Sequence, residues 1–336
     1  MERRKVQLTG TSTFIVSLPK SWATSIGLKA GDEVSILDKH DGTLLLSPNA
    51  NAPSFFFEES INVDDFKNID LFERILIAKY LNGPKIIQIN SKGPISSELR
   101  KRTLKRVHRL LGVEIIEEYE NKIVLQDLTS FEELSIGKVM RRLFLLTSSM
   151  HKTIVTSMIE NKSPLEEIMN QEDVVDRLYF LAIKQLKGAL RNPMVLRQIG
   201  IREQEIIDFY AVTRSIERIS DHIVLIARNW DTILDNELEC PTEGLYNLGQ
   251  ETLNIYSTTF KSLFSRDLEE ANAQILKKKE IRKTIKEEID PLISSSTTAL
   301  AVQLAAISAS FERIVDYSAD IAEVVINRGL KEKEEE

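Results

Sequence analysis

Apolar and polar positions alternate in short runs up to about residue 50, recur at helical spacing near 69–81 and 96–111, and keep a helical period from about residue 131 onward. Residues 5–17 are rich in Thr, Val, Ile and Phe and predict two short strands, 5–8 and 13–17, about Gly10. Pro19 ends the second strand at a place a helix start tolerates. A short helix is expected over 20–26, closed by Gly27. Gly31-Asp32 turns the chain into a strand at 33–37, and His40-Asp41-Gly42 turns it into another at 43–46. This ββαββ piece is too small to bury a core alone and calls for a partner chain.

Residues 54–128 read as a small α/β connector. A strand at 54–57 (Phe55-Phe56-Phe57, read as buried) precedes a helix at 69–81. A strand at 85–89 follows Gly83-Pro84, then a helix at 96–111 with Ser96 or Ser97 as N-cap. A hairpin about Asn121 joins 113–119 to 123–125. Behind this unit breakers become scarce. Seven of 13 glycines and five of nine prolines precede residue 113, so the remaining 224 residues are expected to be helical.

The helical part contains an internal repeat. Ser215-Ile-Glu217-Arg218-Ile219-Ser-Asp221-His-Ile-Val-Leu-Ile226-Ala227 and Ser310-Phe-Glu312-Arg313-Ile314-Val-Asp316-Tyr-Ser-Ala-Asp320-Ile321-Ala322 agree at seven of 13 positions, at a constant offset of 95. That period exceeds a solenoid unit and predicts two similar bundles in tandem. Each reads as three helices: 131–160, 164–191 and 202–234, then 242–264, 267–289 and 292–329. The expected breaks are Lys162-Ser163-Pro164, Asn192-Pro193, Ser265-Arg266 and Asp290-Pro291, with Pro241 at the joint.

Composition narrows the functional classes. The 336 residues carry 44 basic and 51 acidic side chains, a formal charge of -7, with 42% apolar and 28% charged residues, as in a globular protein. Coating nucleic acid by bulk charge is excluded, while a local basic patch stays open. Cys240 is the single cysteine, which excludes an internal disulfide and a Cys-based metal site and fits a reducing cytoplasm. The run 299–311 is broken by Gln303, Ser308 and Ser310 and is shorter than a membrane helix needs. Met1-Glu2-Arg3-Arg4-Lys5 leads into no apolar signal segment. The expectation is a soluble, cytoplasmic protein with no membrane insertion.

Two basic regions stand out. Arg3, Arg4 and Lys5 are read on the first strand, with Lys20 in the loop before the helix. A two-fold dimer would double them to about eight cations able to meet phosphates and release counterions. Between Pro84 and Gly112, eight basic residues (Lys85, Lys92, Arg100, Lys101, Arg102, Lys105, Arg106, Arg109) stand against Glu98. With Leu99, Thr103, Leu104, Val107 and Leu111 as the apolar face, these cations are expected on the solvent side. They form either a solvated face or an extension of a DNA footprint in which Lys101 and Lys105 take part.

The front third resembles the AbrB/SpoVT swapped-hairpin family over about residues 1–48. Leu18-Pro19-Lys20-Ser21-Trp22 and Ile26-Gly27-Leu28-Lys29-Ala30-Gly31-Asp32-Glu33-Val34 carry the resemblance. It implies a dimeric barrel of interleaved hairpins that binds DNA, or one that only dimerises the chain. Ala23 and Thr24 stand where members typically carry an arginine pair.

In the helical part, residues at i and i+4 share a face, so Glu172 with Asp176, Glu217 with Asp221, and Glu312 with Asp316 each project two carboxylates together. Such hard-oxygen donors suit Mg, Mn or Fe. Spacing alone, with Arg218 and Arg313 interleaved, favours a salt-bridged surface. The doubled Glu-Arg-Ile-x-Asp-(His/Tyr)-x-x-x-Ile-Ala, however, resembles PhoU, the family of cytoplasmic regulators of phosphate uptake, over about 131–329. That resemblance implies two three-helix bundles holding a divalent or trivalent metal ion (Fe, Mn, Mg or Zn). Glu172, Asp176, Glu217 and Asp221 would form the first site, with Glu312 and Asp316 matching in the second. There Lys279 and Lys283 are aligned opposite the acids, so metal is expected in the first bundle and a pseudo-site in the second. No Gly-rich phosphate loop or nucleophile elbow is present, and His40, His108, His151 and His222 are scattered, so no catalytic residue is expected.

The expected fold class is multidomain α+β. It comprises a swapped-hairpin domain at 1–50, the α/β connector at 54–128 and an all-α pair of three-helix bundles at 131–330 (repeats 131–238 and 242–329). Joined, the resemblances imply a DNA-binding transcriptional regulator of phosphate uptake with a metal-binding helical sensor. The alternative is a signalling adaptor binding the phosphate transporter's ATPase or a sensor kinase, with the hairpins used only to form a homodimer.

Overall fold

The computed structural model describes residues 2–38, 42–47, 57–130 and 134–333. The chain divides into two compact units, 1–56 and 57–336.

In the first unit, β1 (Gln7–Thr9) and β2 (Thr13–Ile15) form an antiparallel pair with Leu8 opposite Phe14. The helix α1 (Lys20–Ser25) follows. Then β3 (Ser35–Asp38) pairs antiparallel with β4 (Leu44–Ser47), with Ile36 opposite Leu46. Gly27 stands just beyond α1 at φ 71°, a left-handed conformation that only glycine adopts without strain. The ββαββ order is as expected, but Arg3, Arg4 and Lys5 precede β1, and Lys20 opens α1. The expected turn at His40-Asp41 and the strand residues 54–56 lie outside the described residues. Phe57 lies just before the strand that begins at Glu58.

The second unit opens with a four-stranded sheet in the order β5-β6-β8-β7. Strand β5 (Glu58–Asn62) runs parallel to β6 (Ile86–Asn90), so the chain needs a crossover, which α2 (Ile69–Leu81) supplies. Ser96 caps α3 (Ser97–Val107), its hydroxyl accepting from the Leu99 N–H at 3.2 Å. The hairpin β7 (Val113–Glu118) and β8 (Lys122–Asp127) then inserts β8 beside β6. Phe72, Leu76 and Tyr80 of α2 pack with Leu99, Val107 and Leu110 under the sheet. The buried face of α3 is therefore Leu99, Thr103 and Val107, continued beyond the helix by Leu110, while Leu104 is 46% exposed. Of the expected face, Leu99, Thr103 and Val107 are buried, Leu104 is not, and Leu110 takes the place expected for Leu111, because the inner positions step by four from 99 to 107 and then by three.

The helices follow in two sets: α4 (Ile136–Glu160), α5 (Leu165–Arg191), α6 (Pro193–Ile199) and α7 (Ile206–Asp235), then α8 (Thr242–Ser265), α9 (Leu268–Thr284), α10 (Asp290–Ser295) and α11 (Thr298–Lys333). Asn161 and Arg266 end α4 and α8 in the left-handed conformation, so the two sets turn alike at their first corner. Two breaks differ from expectation. Asn192-Pro193 ends α5 and also starts the short α6, because the Asn192 side chain accepts from Met194 N–H and Pro193 suits the first helical turn. Asp290-Pro291 does not break the chain. It widens into a π turn at Ile285–Ile289 and stays helical until Ser296.

One continuous core runs through both sets, and α11 packs on α7, α8 and α9. By length and composition α11 is apolar enough over Thr298–Gly329 to cross a membrane. Its Leu304, Ile307, Phe311, Ile314 and Ile321 are instead fully buried in that core.

The sheet unit docks on α5. Lys184, 1% exposed, meets Asp127 Oδ2 at 2.5 Å and Thr129 Oγ1 at 2.9 Å, with its ammonium 4.6 Å above the Tyr80 ring. Lys187 donates to Asn82 Oδ1 at 2.9 Å, and Phe180 enters the sheet unit's core. Breaking a buried pair on one side leaves an uncompensated charge costing about 3–5 kcal/mol. Lys184→Met should thus lower unfolding free energy by about 3 kcal/mol in urea titration. Adding Asp127→Asn should restore most of it, and a double variant as unstable as the single would refute the pairing.

Candidate functional site

Helix α5 carries Glu172 and Asp176 one turn apart beside its buried Ile168, Val175 and Leu178. Helix α7 carries Glu217 and Asp221 beside Ile216, Ile219 and Ile223. The apolar positions press α5 onto α7, so the acids at the edge of each stripe lie along the same seam. Burial and then the neighbouring Asp176 carboxylate push Glu172 up to about 7, with Arg109 opposing and Asp221 adding to the rise. Burial and then Asp221 push Glu217 up to about 7, with Arg214 opposing and Asp176 adding to the rise. Asp176 is raised by burial against the pull of Arg109, and Asp221 by burial against Arg218 and Arg214. Asp221 stands at the exposed rim.

The quartet thus gathers four carboxyl groups whose ionisation burial opposes, with Arg109, Arg214 and Arg218 offsetting part of their charge. All its donors are hard oxygens, and that chemistry fits a divalent or trivalent cation. In this conformation no three His, Cys, Asp or Glu side chains among the described residues are gathered closely enough to hold an ion. A guanidinium from the sheet unit lies against the quartet: Arg109 Nη2 is 2.8 Å from Asp176 Oδ2 and 2.8 Å from Asp173 Oδ1.

The second repeat is different. Arg282 Nε donates to Glu312 Oε1 at 2.7 Å, Lys278 Nζ is 2.6 Å from Asp316 Oδ1, and Arg313 adds a 3.5 Å contact to Asp316. The cations facing the acids are therefore Lys278 and Arg282, not Lys279 and Lys283, which are exposed. The expected alignment slipped by one residue. Ala271, Gln274 and Ile281 form the inner face of α9, and position 278 continues that face. Lys278 and Arg282 keep the i, i+4 spacing of Glu172 and Asp176 with reversed charge. His222 lies beside this group, half-buried, its imidazole 5.8 Å from Tyr317. Burial, then Arg313 and Arg218, hold its pKa below the usual histidine range. His151 is fully buried and held down to about 3 by burial, so it is a neutral core residue that meets Thr252 Oγ1 at 3.2 Å.

The basic residues of α3 are mostly committed inside the molecule. Arg100 pairs with Glu118 at 2.6 Å, Arg102 with Asp70 and Glu73 at 2.6 Å each, and Arg106 with Glu73. The expected solvent face of eight cations is thereby corrected, while Lys101 and Lys105 are exposed. In the first unit Arg3, Arg4, Lys5 and Lys20 are exposed, with Arg4 paired to Glu2. No residue there whose burial is described is buried. Val6, Leu8, Phe14, Ile15, Val16, Ile26, Ile36 and Leu44 are all exposed.

This is a protein with a small hairpin domain in front and paired PhoU-like helical bundles behind. The bacterial antitoxin family described as "Antidote-toxin recognition MazE" matches residues 7–54, and the PhoU domain family matches residues 140–229. The crystal structure of PhoU from Pseudomonas aeruginosa is similar at a TM-score of 0.52 and 18% identity, covering 59% of this chain and 98% of that one. The phosphate transport system regulatory protein PhoU from Streptococcus pneumoniae gives a TM-score of 0.48 at 19% identity, covering 58% of this chain and 93% of that one. No curated protein sequence matches the chain. A MazE/AbrB-like domain at the N-terminus and a PhoU domain in the helical part are thus established, and the latter carries the PhoU fold.

Arg109, Asp173, Lys278 and Arg282 are the site residues that sequence reasoning missed. Reversal of charge at constant i, i+4 spacing was the available signal for the last two. Arg109 comes from another part of the fold and left no local signal.

A carboxyl whose folded pKa exceeds its unfolded value near 4.5 is protonated preferentially in the folded state. Its contribution favours folding at low pH and is lost as pH rises through about 7. With chelator present, thermal stability should therefore fall between about pH 4.5 and about pH 7 and level off above that. Glu172→Gln/Glu217→Gln should flatten that slope in scanning calorimetry. An unchanged slope would mean that the quartet is not electrostatically loaded.

Proposed function

We propose that this chain is a DNA-binding transcriptional regulator of phosphate uptake, soluble and cytoplasmic, in which the helical part senses and a dimeric front domain reads DNA. The observation that carries this reading is that no described residue of the front unit is buried. Eight large apolar side chains on two hairpins and their helix are exposed. Covering them would gain on the order of 10 kcal/mol, and a second copy offers the matching surface by two-fold symmetry. Arg3, Arg4, Lys5 and Lys20 lie exposed in the same unit, and duplication would give a palindromic basic surface able to displace counterions from phosphates. An ion held by Glu172, Asp176, Glu217 and Asp221 would supply the positive charge those residues lack. Glu312 and Asp316, already paired with Lys278 and Arg282, do not need one.

Phe14→Asp should reduce the full chain's dimer fraction, as read by light scattering. Fluorescence anisotropy on the chain's own upstream DNA and on a scrambled duplex, across a salt series, tests the rest. Preference for the native duplex, weakened in Arg3→Ala/Arg4→Ala by about tenfold or more with a shallower salt slope, is expected.

The internal pairing of Arg100, Arg102, Arg106 and Arg109 favours a second reading, because it removes four cations from any DNA footprint of α3. In it the chain is a signalling adaptor for the phosphate transporter's ATPase or a sensor kinase, and the hairpins only dimerise. Absence of binding to either duplex at low salt would select it.

A further inference from the structure

We propose that Arg109 is a tethered cation that competes with a metal ion for the carboxylate quartet of the first bundle, so that loading the quartet releases one attachment of the sheet unit to α5. The inference rests on the metal-binding reading above. The two repeats supply its logic. In the second, Lys278 and Arg282 are built into α9 at the positions that face Glu312 and Asp316, so those acids are neutralised from within their own bundle. In the first, α5 carries acids at the same spacing, and a guanidinium on these acids comes from outside the bundle, at the end of α3.

That guanidinium is placed to leave. Arg109 lies beyond the last residue of α3, in the turn that leads to β7, and not within a packed helix. Its partners are unequal: the Asp173 side chain is 60% exposed and that of Asp176 is 22% exposed. Nε of Arg109 is buried with no hydrogen-bond partner, so the side chain is held from one end of its fork only. An ion drawing Asp176 toward Glu172, Glu217 and Asp221 would take away the carboxylate that Arg109 shares with the quartet.

The other attachments of the sheet unit do not involve the quartet. Lys184 with Asp127 and Lys187 with Asn82 lie further along α5 and would hold while Arg109 lets go. Release would therefore free the turn 108–112 and the end of α3 without detaching the sheet. In sequence this unit lies between the hairpin domain and the bundles, so the state of the quartet would be felt within the part of the chain that separates them.

The test uses the full chain and Mn²⁺ as probe, with affinity read by electron paramagnetic resonance of free Mn²⁺ and backbone mobility by hydrogen exchange. Arg109→Gln should bind Mn²⁺ at least about tenfold tighter than the parent, and Arg109→Lys, which keeps the charge without the fork, should fall between them. Mn²⁺ should raise exchange in residues 97–111 of the parent, and Arg109→Gln should show that raised exchange without metal. Equal affinity in the parent and both variants, with binding abolished by Asp221→Asn, would overturn the competition and leave the metal site standing. Mn²⁺ binding by none of them would overturn both. Binding unaffected by Asp176→Asn/Asp221→Asn lies elsewhere and would also overturn the proposal. Arg109→Lys keeps the test open if Arg109→Gln does not fold.

Discussion

Closure of α7 against α11 is the constraint on which the helical unit depends. Both helices carry the repeated motif, and both bury its isoleucines completely: Ile219 and Ile226 in one, Ile314 and Ile321 in the other. Full burial of such a side chain stabilises by roughly 1.5–3 kcal/mol, so this seam fuses two bundles into one core. It also fixes where charge can go. Glutamate and aspartate of the motif follow the isoleucines around the helix, so they must emerge at the rim of the seam and face the neighbouring helix, α5 or α9. Arg218 reaches across to Tyr317, its Nη1 3.3 Å from the phenolic oxygen, and ties the rims of the two repeats together.

What the neighbouring helix presents then decides each repeat's chemistry. Helix α9 answers two acids with an ammonium and a guanidinium, giving a closed group of opposite charges. Helix α5 answers with two more acids, and the result is a pair of glutamates pushed up to about 7. The two repeats, which turn alike at their first corner through Asn161 and Arg266, thus differ at two side chains on one helix face: one holds an internally salt-bridged group, the other a cluster of acids met by Arg109 from the sheet unit.

How much of this was legible follows from the range of each interaction. Helix α2 matched its expected bounds of Ile69–Leu81, because Asn68 and the sequence Asn82-Gly83-Pro84 punctuate it locally. The repeated motif, and the shared helix faces of Glu172 with Asp176 and of Glu217 with Asp221, were legible because i, i+4 spacing is a local property of a helix. The face of α3 was misjudged at two positions, since Leu104 beside Thr103, and Leu111 beside Leu110, cannot be ranked without knowing what lies beneath. The slip at Lys278 and Arg282 has the same origin in a run of four consecutive charged residues, 277–280, that offers no apolar marker. Helix α6 and the π turn before Pro291 show that proline also opens helices, which its presence in a sequence does not distinguish from ending one. The contact of Arg109 with Asp176, 67 residues apart, had no sequence signature at all.

The two compact units are held together by different physics. The helical unit encloses Lys184, Gln185 and His151 and can keep them because Asp127, Thr129, the Leu134 carbonyl and Thr252 meet them. That degree of enclosure needs a large core. Among its described residues the hairpin unit buries none: its pairs Leu8 with Phe14 and Ile36 with Leu46 are formed, yet Leu8, Phe14 and Ile36 are all exposed. Two-stranded hairpins are marginal in water without a further layer. Strand pairing therefore sets the register of these side chains without burying them, and the order of the front unit has to come from outside it. The large unit is therefore stable through its own packing, while the apolar side chains of the small one still face solvent and remain open to whatever could cover them.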